Sequence, residues 1–245
     1  MSPLNLTLLC VSLFLVALLY SSAGQAGASG FIAAMALFGL APDSLKSTAL
    51  ILNILVSMIV VVRFYQAGYI SWSLLWPFAL ASIPAAALGG AITLPVRAFN
   101  LLLGVLLLTA ALPFFVRRPA DEGTVAPPQF TSALASGGTI GLLSGLTGMG
   151  GGVLITPLML FWRWASTKSA AGMSAAFILL NSLATLAGHL ATTRHLPAYL
   201  PFLALAAVSG GAVGSQLGAA YLPAWAIQRI LGFILLIAGF KLILF

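Results

Sequence analysis

The most glycine-rich stretch of the chain is Ser144-Gly145-Leu146-Thr147-Gly148-Met149-Gly150-Gly151-Gly152, and both of its flanks are apolar. A nucleotide-binding loop would need a preceding strand and a Walker lysine or a dinucleotide fingerprint, and neither is present. Two interpretations remain. The glycines permit close packing of helices, or the chain breaks here inside a membrane and a short helix follows. In the second case, unpaired backbone N–H groups at the start of that helix suit an anion.

The composition places this stretch in a membrane protein. The 245-residue chain is 61% hydrophobic and only 5% charged, whereas a soluble domain carries roughly 25% charged residues. So few charges cannot cover a surface that faces water, which excludes a water-soluble enzyme. Polar tracts and short repeats, which are typical of disordered or fibrous chains, are absent. Because a membrane span needs ~20 apolar residues, we predict an all-α integral membrane protein.

The charges and the cysteine point to no nucleic acid, metal or cofactor. Ten Lys and Arg oppose three acidic residues, for a formal charge of +7, but they are scattered, and no basic stripe for nucleic acid results. Most of them are expected to anchor helix ends at lipid headgroups. Cys10 is the only cysteine, and no Cys/His cluster suggests a metal. The first apolar segment lacks a basic start and is expected to be a retained span rather than a signal peptide.

Proline and glycine residues divide the chain into two sets of apolar segments around one polar linker. We predict segments at 3–22, 27–40, 44–66, 72–92 and 96–116, and again at 129–146, 150–163, 168–193, 198–219 and 223–244. The second segment of each set is too short to span and is predicted to be a broken or re-entrant helix. The corresponding domains are an N-terminal membrane repeat at 1–116, a polar cytoplasmic linker at 117–128 and a C-terminal membrane repeat at 129–245.

Short matches indicate that the two halves are copies. Leu94-Pro95 recurs as Leu222-Pro223, and Pro77-Phe78 recurs as Pro201-Phe202. If all five segments cross, the second copy enters from the opposite side and the repeats are inverted. If the short segments only dip into the membrane, the copies are parallel. With five crossings, the basic residues slightly favour a cytoplasmic linker and outside termini. We therefore predict about eight to ten hydrophobic helices in two inverted repeats.

The third segment of each half carries polar residues that are costly in hydrocarbon unless they are paired. They are Thr48, Asn53 and Arg63 in the first copy and Asn181, Ser182 and His189 in the second. Each amide is either an interhelical hydrogen-bonding partner or a substrate ligand. Arg63 either reaches the headgroups or balances the charge of a substrate, and His189 is the better placed of the two histidines for that role.

A weaker glycine-rich stretch, Gly24-Gln25-Ala26-Gly27-Ala28-Ser29-Gly30, begins the first half, and Met35 stands where Pro157 stands in the second. Two breaks, one from each half, are expected to meet near the bilayer centre, where duplicated transporters bind substrate. No Asp or Glu lies deep within a segment, so a carboxylate proton relay is not expected. No catalytic set of residues indicates an enzyme.

The sequence resembles the sulfite exporter TauE/SafE family, also called the 4-toluene sulfonate uptake permeases. The resemblance rests on Gly148-Met149-Gly150-Gly151-Gly152-Val153-Leu154-Ile155-Thr156-Pro157 and on Ala171-Gly172-Met173-Ser174 leading to Asn181-Ser182. A weaker match to the same pattern runs from Gly30 to Pro42 in the first half. The resemblance therefore covers nearly the whole chain. The resemblance implies a multi-pass permease of a bacterial-type cytoplasmic membrane for sulfite, sulfonates or related anions. The first copy departs from the pattern at Ala28-Ser29-Gly30 and at Met35.

Together these features predict a secondary transporter of small organosulfur anions, such as sulfoacetate, that works by alternating access around a midplane site. The candidate substrate-binding residues are Thr147, Gly148, Gly150, Gly151, Gly152, Asn181, Ser182 and His189 in the second half and Gly30, Thr48, Asn53 and Arg63 in the first. The alternatives are a channel-like passive pore and a transporter of a different small organic anion. The lipid bilayer is the expected environment. The small-residue stripe at 85–90 suits helix packing either within one protomer or between the protomers of a homodimer.

Overall fold

The computed structural model describes residues 2–40, 42–92, 95–116, 125–190 and 197–223, and then positions 225, 226, 229, 232, 233, 236, 237, 239, 240 and 243. All regular structure in this part of the chain is helical, and no strand occurs within it. The described positions from 225 onward are helical as well. The predicted all-α class is confirmed.

The helices follow the predicted segments to within a few residues. They are α1 (Pro3–Ser22), α2 (Ala28–Leu37), α3 (Pro42–Gln66), α4 (Trp72–Ala91), α5 (Val96–Val116), α6 (Phe130–Thr147), α7 (Gly152–Phe161), α8 (Thr167–Leu190) and α9 (Leu200–Gln216), which continues as a π-helical turn (Leu217–Tyr221). The short helices α2 and α7 have 10 residues each. At ~1.5 Å per residue, such a helix covers only about half of the ~30 Å hydrocarbon layer.

Five helical stretches of the described chain are long and apolar enough to cross a membrane. They are Pro3–Ser22, Ser44–Gln66, Trp72–Ala91, Thr167–His189 and Leu200–Tyr221. The protein is therefore a multi-pass membrane protein.

Glycines with positive φ break the helices at the two positions that the sequence indicated. Between α1 and α2, Gly24 has φ +75° and Gly27 has φ +107°. Between α6 and α7, Gly148, Gly150 and Gly151 have φ of +74°, +71° and +77°. A side chain strains the backbone in this left-handed region, so glycine lets the chain turn sharply at these points.

Two glycine seams each join one helix of the first half to one of the second. On α6, Gly137, Gly141 and Gly145 meet the backbone of α4 at Phe78, Ser82 and Ala86. On α9 and its π-helical continuation, Gly210, Gly214 and Gly218 meet the backbone of α1 at Phe14, Leu18 and Ser22. Glycines four residues apart lie on one helix face and let two backbones approach closely. The α4–α6 and α1–α9 pairs are therefore built alike.

The helices α3 and α8 lie between these seams and run antiparallel. Asn53 of α3 donates to Ser182 of α8. Lys46 lies two turns before Asn53 on α3, and His189 lies two turns after Ser182 on α8. Lys46 and His189 are also close to each other, as an antiparallel pair requires. The helix α5 pairs in the same way with the end of the chain, because Gly104 meets Gly239 and Ile243 while Phe115 meets Phe233.

The small-residue stripe at 85–90 packs within the chain. Gly89 faces α6, where an added Cβ would lie 2.6 Å from the Leu142 carbonyl oxygen, and Gly90 faces the Thr185 carbonyl on α8. The homodimer stays a prediction, as do the domain bounds and the inverted orientation of the repeats. Most of the predicted linker, 117–124, lies outside the described residues.

Candidate functional site

The two breaks meet at the centre of the molecule, and Gln25 links them. Its Nε2 lies 2.7 Å from Thr156 Oγ1, 3.0 Å from Ser174 Oγ and 3.1 Å from the Gly152 carbonyl oxygen. Gln25 is only 2% exposed. A buried amide is stabilised only when it is hydrogen-bonded. The first break is thus fastened to the first turn of α7 and to α8, both in the other half.

Asn53 makes a second link across the halves. Its Oδ1 accepts a hydrogen bond from the Ala28 backbone N–H at 3.1 Å, which satisfies a donor at the start of α2. Its Nδ2 donates to Ser182 Oγ at 2.8 Å. Gly150 lies directly against this pair, because a Cβ added there would be 2.5 Å from Asn53 Nδ2 and 2.8 Å from Ser182 Oγ. The structure therefore brings together three of the predicted residues.

Asn181 is at the matching position of α8 but is bonded differently. Leu50-Ile51-Leu52-Asn53 corresponds to Ile178-Leu179-Leu180-Asn181. Asn181 Nδ2 donates to the Phe177 carbonyl of its own helix at 2.8 Å. Its Oδ1 is fully buried and has no hydrogen-bond partner. An unsatisfied buried acceptor of this kind costs about 1–3 kcal/mol.

The start of α7 lies beside Asn181 and has no side-chain cap. Gly151 is the N-cap residue, and no side chain bonds to it as a cap. Gly151 packs against Phe177, and Gly152 packs against Ile178, on the α8 face that also carries Asn181 and Ser182. The start of α7 therefore packs against the α8 face that carries the unpartnered amide oxygen of Asn181. An oxyanion there would receive N–H groups from the helix start.

The other predicted residues divide between the site and the scaffold. Thr48 is fully buried, and its Oγ1 has no partner. Thr147 Oγ1 donates to the Leu143 carbonyl at 2.7 Å, within its own helix. Gly30 packs α2 onto α1, where an added Cβ would lie 3.1 Å from the Tyr20 ring. Arg63 is exposed in the last turn of α3, ~15 Å along the helix from Asn53, and is not brought to the cluster.

His189 and Gly148 lie at a second polar point, next to Lys46. His189 is buried and hydrogen-bonds to the backbone of Gly90. Lys46 Nζ lies 3.5 Å from the Gly90 carbonyl oxygen. A Cβ added to Gly148 would lie 3.0 Å from Lys46 Cγ. Lys46 is thus a basic residue that contacts the second break, whereas the sequence predicts that most basic residues anchor helix ends at the headgroups.

Sequence reasoning missed Gln25, Thr156 and Lys46 as site residues. Gln25 carried the clearest signal, since it is an amide inside the first glycine-rich stretch of a chain with very few polar side chains. Lys46 carried no such sequence signal, because its proximity to His189 follows from the antiparallel register of α3 and α8. Within the described residues, no three of His, Cys, Asp and Glu come together as a metal site would require.

The fold defines a multi-pass membrane protein with a cluster of buried polar side chains. The family model for the sulfite exporter TauE/SafE matches residues 9–242, so the chain belongs to this family and the resemblance is confirmed. The chain is also 41% identical, over 239 residues, to the "Probable membrane transporter protein y4hK" of Sinorhizobium fredii (strain NBRC 101917 / NGR234). The match covers 96% of this chain and 97% of that relative. No solved structure matches the chain. The family and the relative support a membrane transporter.

Proposed function

We propose that the protein is a secondary transporter of small sulfur-containing anions such as sulfite, sulfonates or sulfoacetate. It works by alternating access around the site where the two breaks meet, in a bacterial-type cytoplasmic membrane. The observation that carries the proposal is the uncapped start of α7 beside Asn181. This half-helix supplies backbone donors to an anion at the level where the chain is broken, as in other duplicated transporters.

The substrate class follows from the chemistry of the cluster. A sulfonate offers three oxygen acceptors and one charge. The backbone N–H groups of Gly151 and Gly152 and the hydroxyl of Ser182 are donors for such oxygens. Asn181 joins them by turning its amide, since the Phe177 carbonyl that now holds its Nδ2 is already bonded within the helix. In the turned position, its Nδ2 donates to an oxygen of the substrate.

The helix pairing supports alternating access. The antiparallel α3–α8 pair and the two like seams, α4–α6 and α1–α9, suit a two-fold axis in the membrane plane. In such an arrangement, an outward-facing and an inward-facing state arise by exchanging the conformations of the two copies. The two cross-links at Gln25 and Asn53 then couple the halves during this exchange.

Transport by purified protein in proteoliposomes tests the proposal. We expect saturable uptake of radiolabelled sulfite or sulfoacetate, competition by unlabelled sulfonates, and little competition by acetate or other matched carboxylates. Vesicles preloaded with unlabelled substrate should show accelerated uptake by counterflow. A flux that neither saturates nor shows counterflow would indicate a passive pore. Saturable uptake of a carboxylate alone would identify a transporter of another organic anion.

A further inference from the structure

Lys46 is a half-buried cation within a predicted membrane span. Its only hydrogen bond among the described residues is to the Gly90 carbonyl, at a long 3.5 Å, and no ion pair compensates its charge there. An ammonium group removed from water is costly unless it is paired. Among the described residues, no negative charge is therefore supplied to Lys46.

The stem of Lys46 lies over the second break rather than at the protein surface. A Cβ added to Gly148 would lie 3.0 Å from Lys46 Cγ and 3.8 Å from its Cε. Gly148 directly follows α6 and precedes the uncapped start of α7 by a few residues. His189 approaches the same Gly90 backbone group, so an imidazole lies beside the ammonium.

Two buried hydroxyl groups near Lys46 also lack partners. Ser144 lies one turn before Gly148 on α6, and the Gly148 N–H donates to its carbonyl at 2.7 Å. Thr185 lies one turn before His189 on the same face of α8. Ser144 is 1% exposed and Thr185 is 0% exposed, and neither side-chain oxygen has a hydrogen-bond partner. These two buried hydroxyl groups, on α6 and α8, are therefore available to donate to a polar ligand.

We infer that Lys46 is the residue that binds the negative charge of the transported anion, with the hydroxyl groups of Ser144 and Thr185 and the imidazole of His189 completing an oxyanion site at the second break. The ligand class is a small oxyanion such as sulfite or a sulfonate. Lys46 takes the role that the sequence suggested for Arg63 or His189. The inference deepens the proposed function and rests on it.

Kinetics of three variants test the role of Lys46, with sulfoacetate as the transported probe. We expect Lys46→Gln to raise KM about tenfold or more, because a hydrogen bond to a charged group is among the stronger ones. Lys46→Arg should recover part of the affinity. The matched control Arg97→Gln removes an exposed basic residue near the start of α5, and it should keep the wild-type KM. If Lys46→Gln keeps the wild-type KM while wild-type uptake is normal, the assignment of Lys46 is wrong and the proposed function stands. If the wild type moves no sulfur anion, the proposed function itself fails.

Restoring the charge chemically separates a binding role from a structural one. Cys10 is the only cysteine, so Cys10→Ser/Lys46→Cys carries a single thiol. Its reaction with 2-aminoethyl methanethiosulfonate restores an ammonium group, whereas methyl methanethiosulfonate adds a neutral group of smaller size. We expect the first reagent, and not the second, to restore sulfoacetate affinity in protein whose mass shows full modification. Equal affinity after both reagents would overturn the inference. Sulfoacetate is the probe because sulfite cleaves disulfides.

Discussion

The two breaks differ in how the nearby asparagine is hydrogen-bonded. At the first break, Asn53 of α3 accepts a hydrogen bond from the Ala28 N–H and so satisfies the start of α2. At the second break, Asn181 of α8 donates to the Phe177 carbonyl of its own helix. Both amides lie at matching places in the third segments of the two halves, and both are fully buried. Each break keeps one buried amide oxygen without a partner, Gln25 Oε1 at the first and Asn181 Oδ1 at the second. At the first break, Asn53 satisfies the helix start and Gln25 bonds across to the second half. The second break combines its unpartnered oxygen with an uncapped helix start and a nearby lysine. From this difference we expect the first break to serve as scaffold and the second break to bind the ligand.

The largest expected effect comes from filling the space at the second break. Gly150→Ala places a Cβ 2.5 Å from Asn53 Nδ2 at φ +71°, and strain and overpacking together should cost about 2–5 kcal/mol. Gly39→Ala is the matched control, because Gly39 has φ +74° but nothing within 4 Å of an added Cβ. The control should lose only the stability that a side chain costs in the left-handed backbone conformation. The melting temperatures of the two variants in detergent measure the difference, and equal losses would mean that the contact with Asn53 is unimportant.

The next effect tests whether Gln25 fastens the first break to the second half. Gln25→Leu keeps a similar volume but removes the donor that approaches Gly152, Thr156 and Ser174. We expect a loss of about 2–3 kcal/mol, since three buried contacts to the amide are lost while Thr156 and Ser174 still donate to the Gly152 carbonyl. Ser174→Ala is the control and should cost less, because Gln25 keeps its other contacts. A Gln25→Leu protein as stable as the wild type would contradict the cross-link.

Substituting the two asparagines should affect different properties, the stability for Asn53 and the transport KM for Asn181. Asn53→Ala removes the bonds to Ala28 and Ser182 and should cost about 2 kcal/mol of stability. Asn181→Ala removes one bond within its own helix and an unsatisfied oxygen, so stability should change by less than about 1 kcal/mol. We expect Asn181→Ala nevertheless to raise the KM for the sulfur anion. Thermal melts and uptake assays on both proteins check this, and the opposite pattern would reverse the roles assigned to the two breaks.

Sequence reasoning located the elements better than the contacts between them. The glycine stretches and the polar third segments gave the breaks, the short helices and the set of Gly150, Asn53 and Ser182, because glycine and buried amides are rare and costly in a membrane. The sequence did not show which basic residue of α3 lies near the second break, for one reason. Which end of α3 meets the second break depends on the direction in which α8 packs against it, and local periodicity contains no information about that direction.

The smallest expected effect concerns a hydrogen bond within the first break. Tyr20 Oη and Ser29 Oγ lie 2.9 Å apart, buried between α1 and α2. Tyr20→Phe should cost about 1 kcal/mol, because it leaves the Ser29 hydroxyl without its partner. Adding Ser29→Ala should recover part of this loss, so the two changes should be non-additive. If the first break is scaffold, neither protein should change the KM for the transported anion. A changed KM in both would mean that the first break also contacts substrate, and the two copies would then share the site.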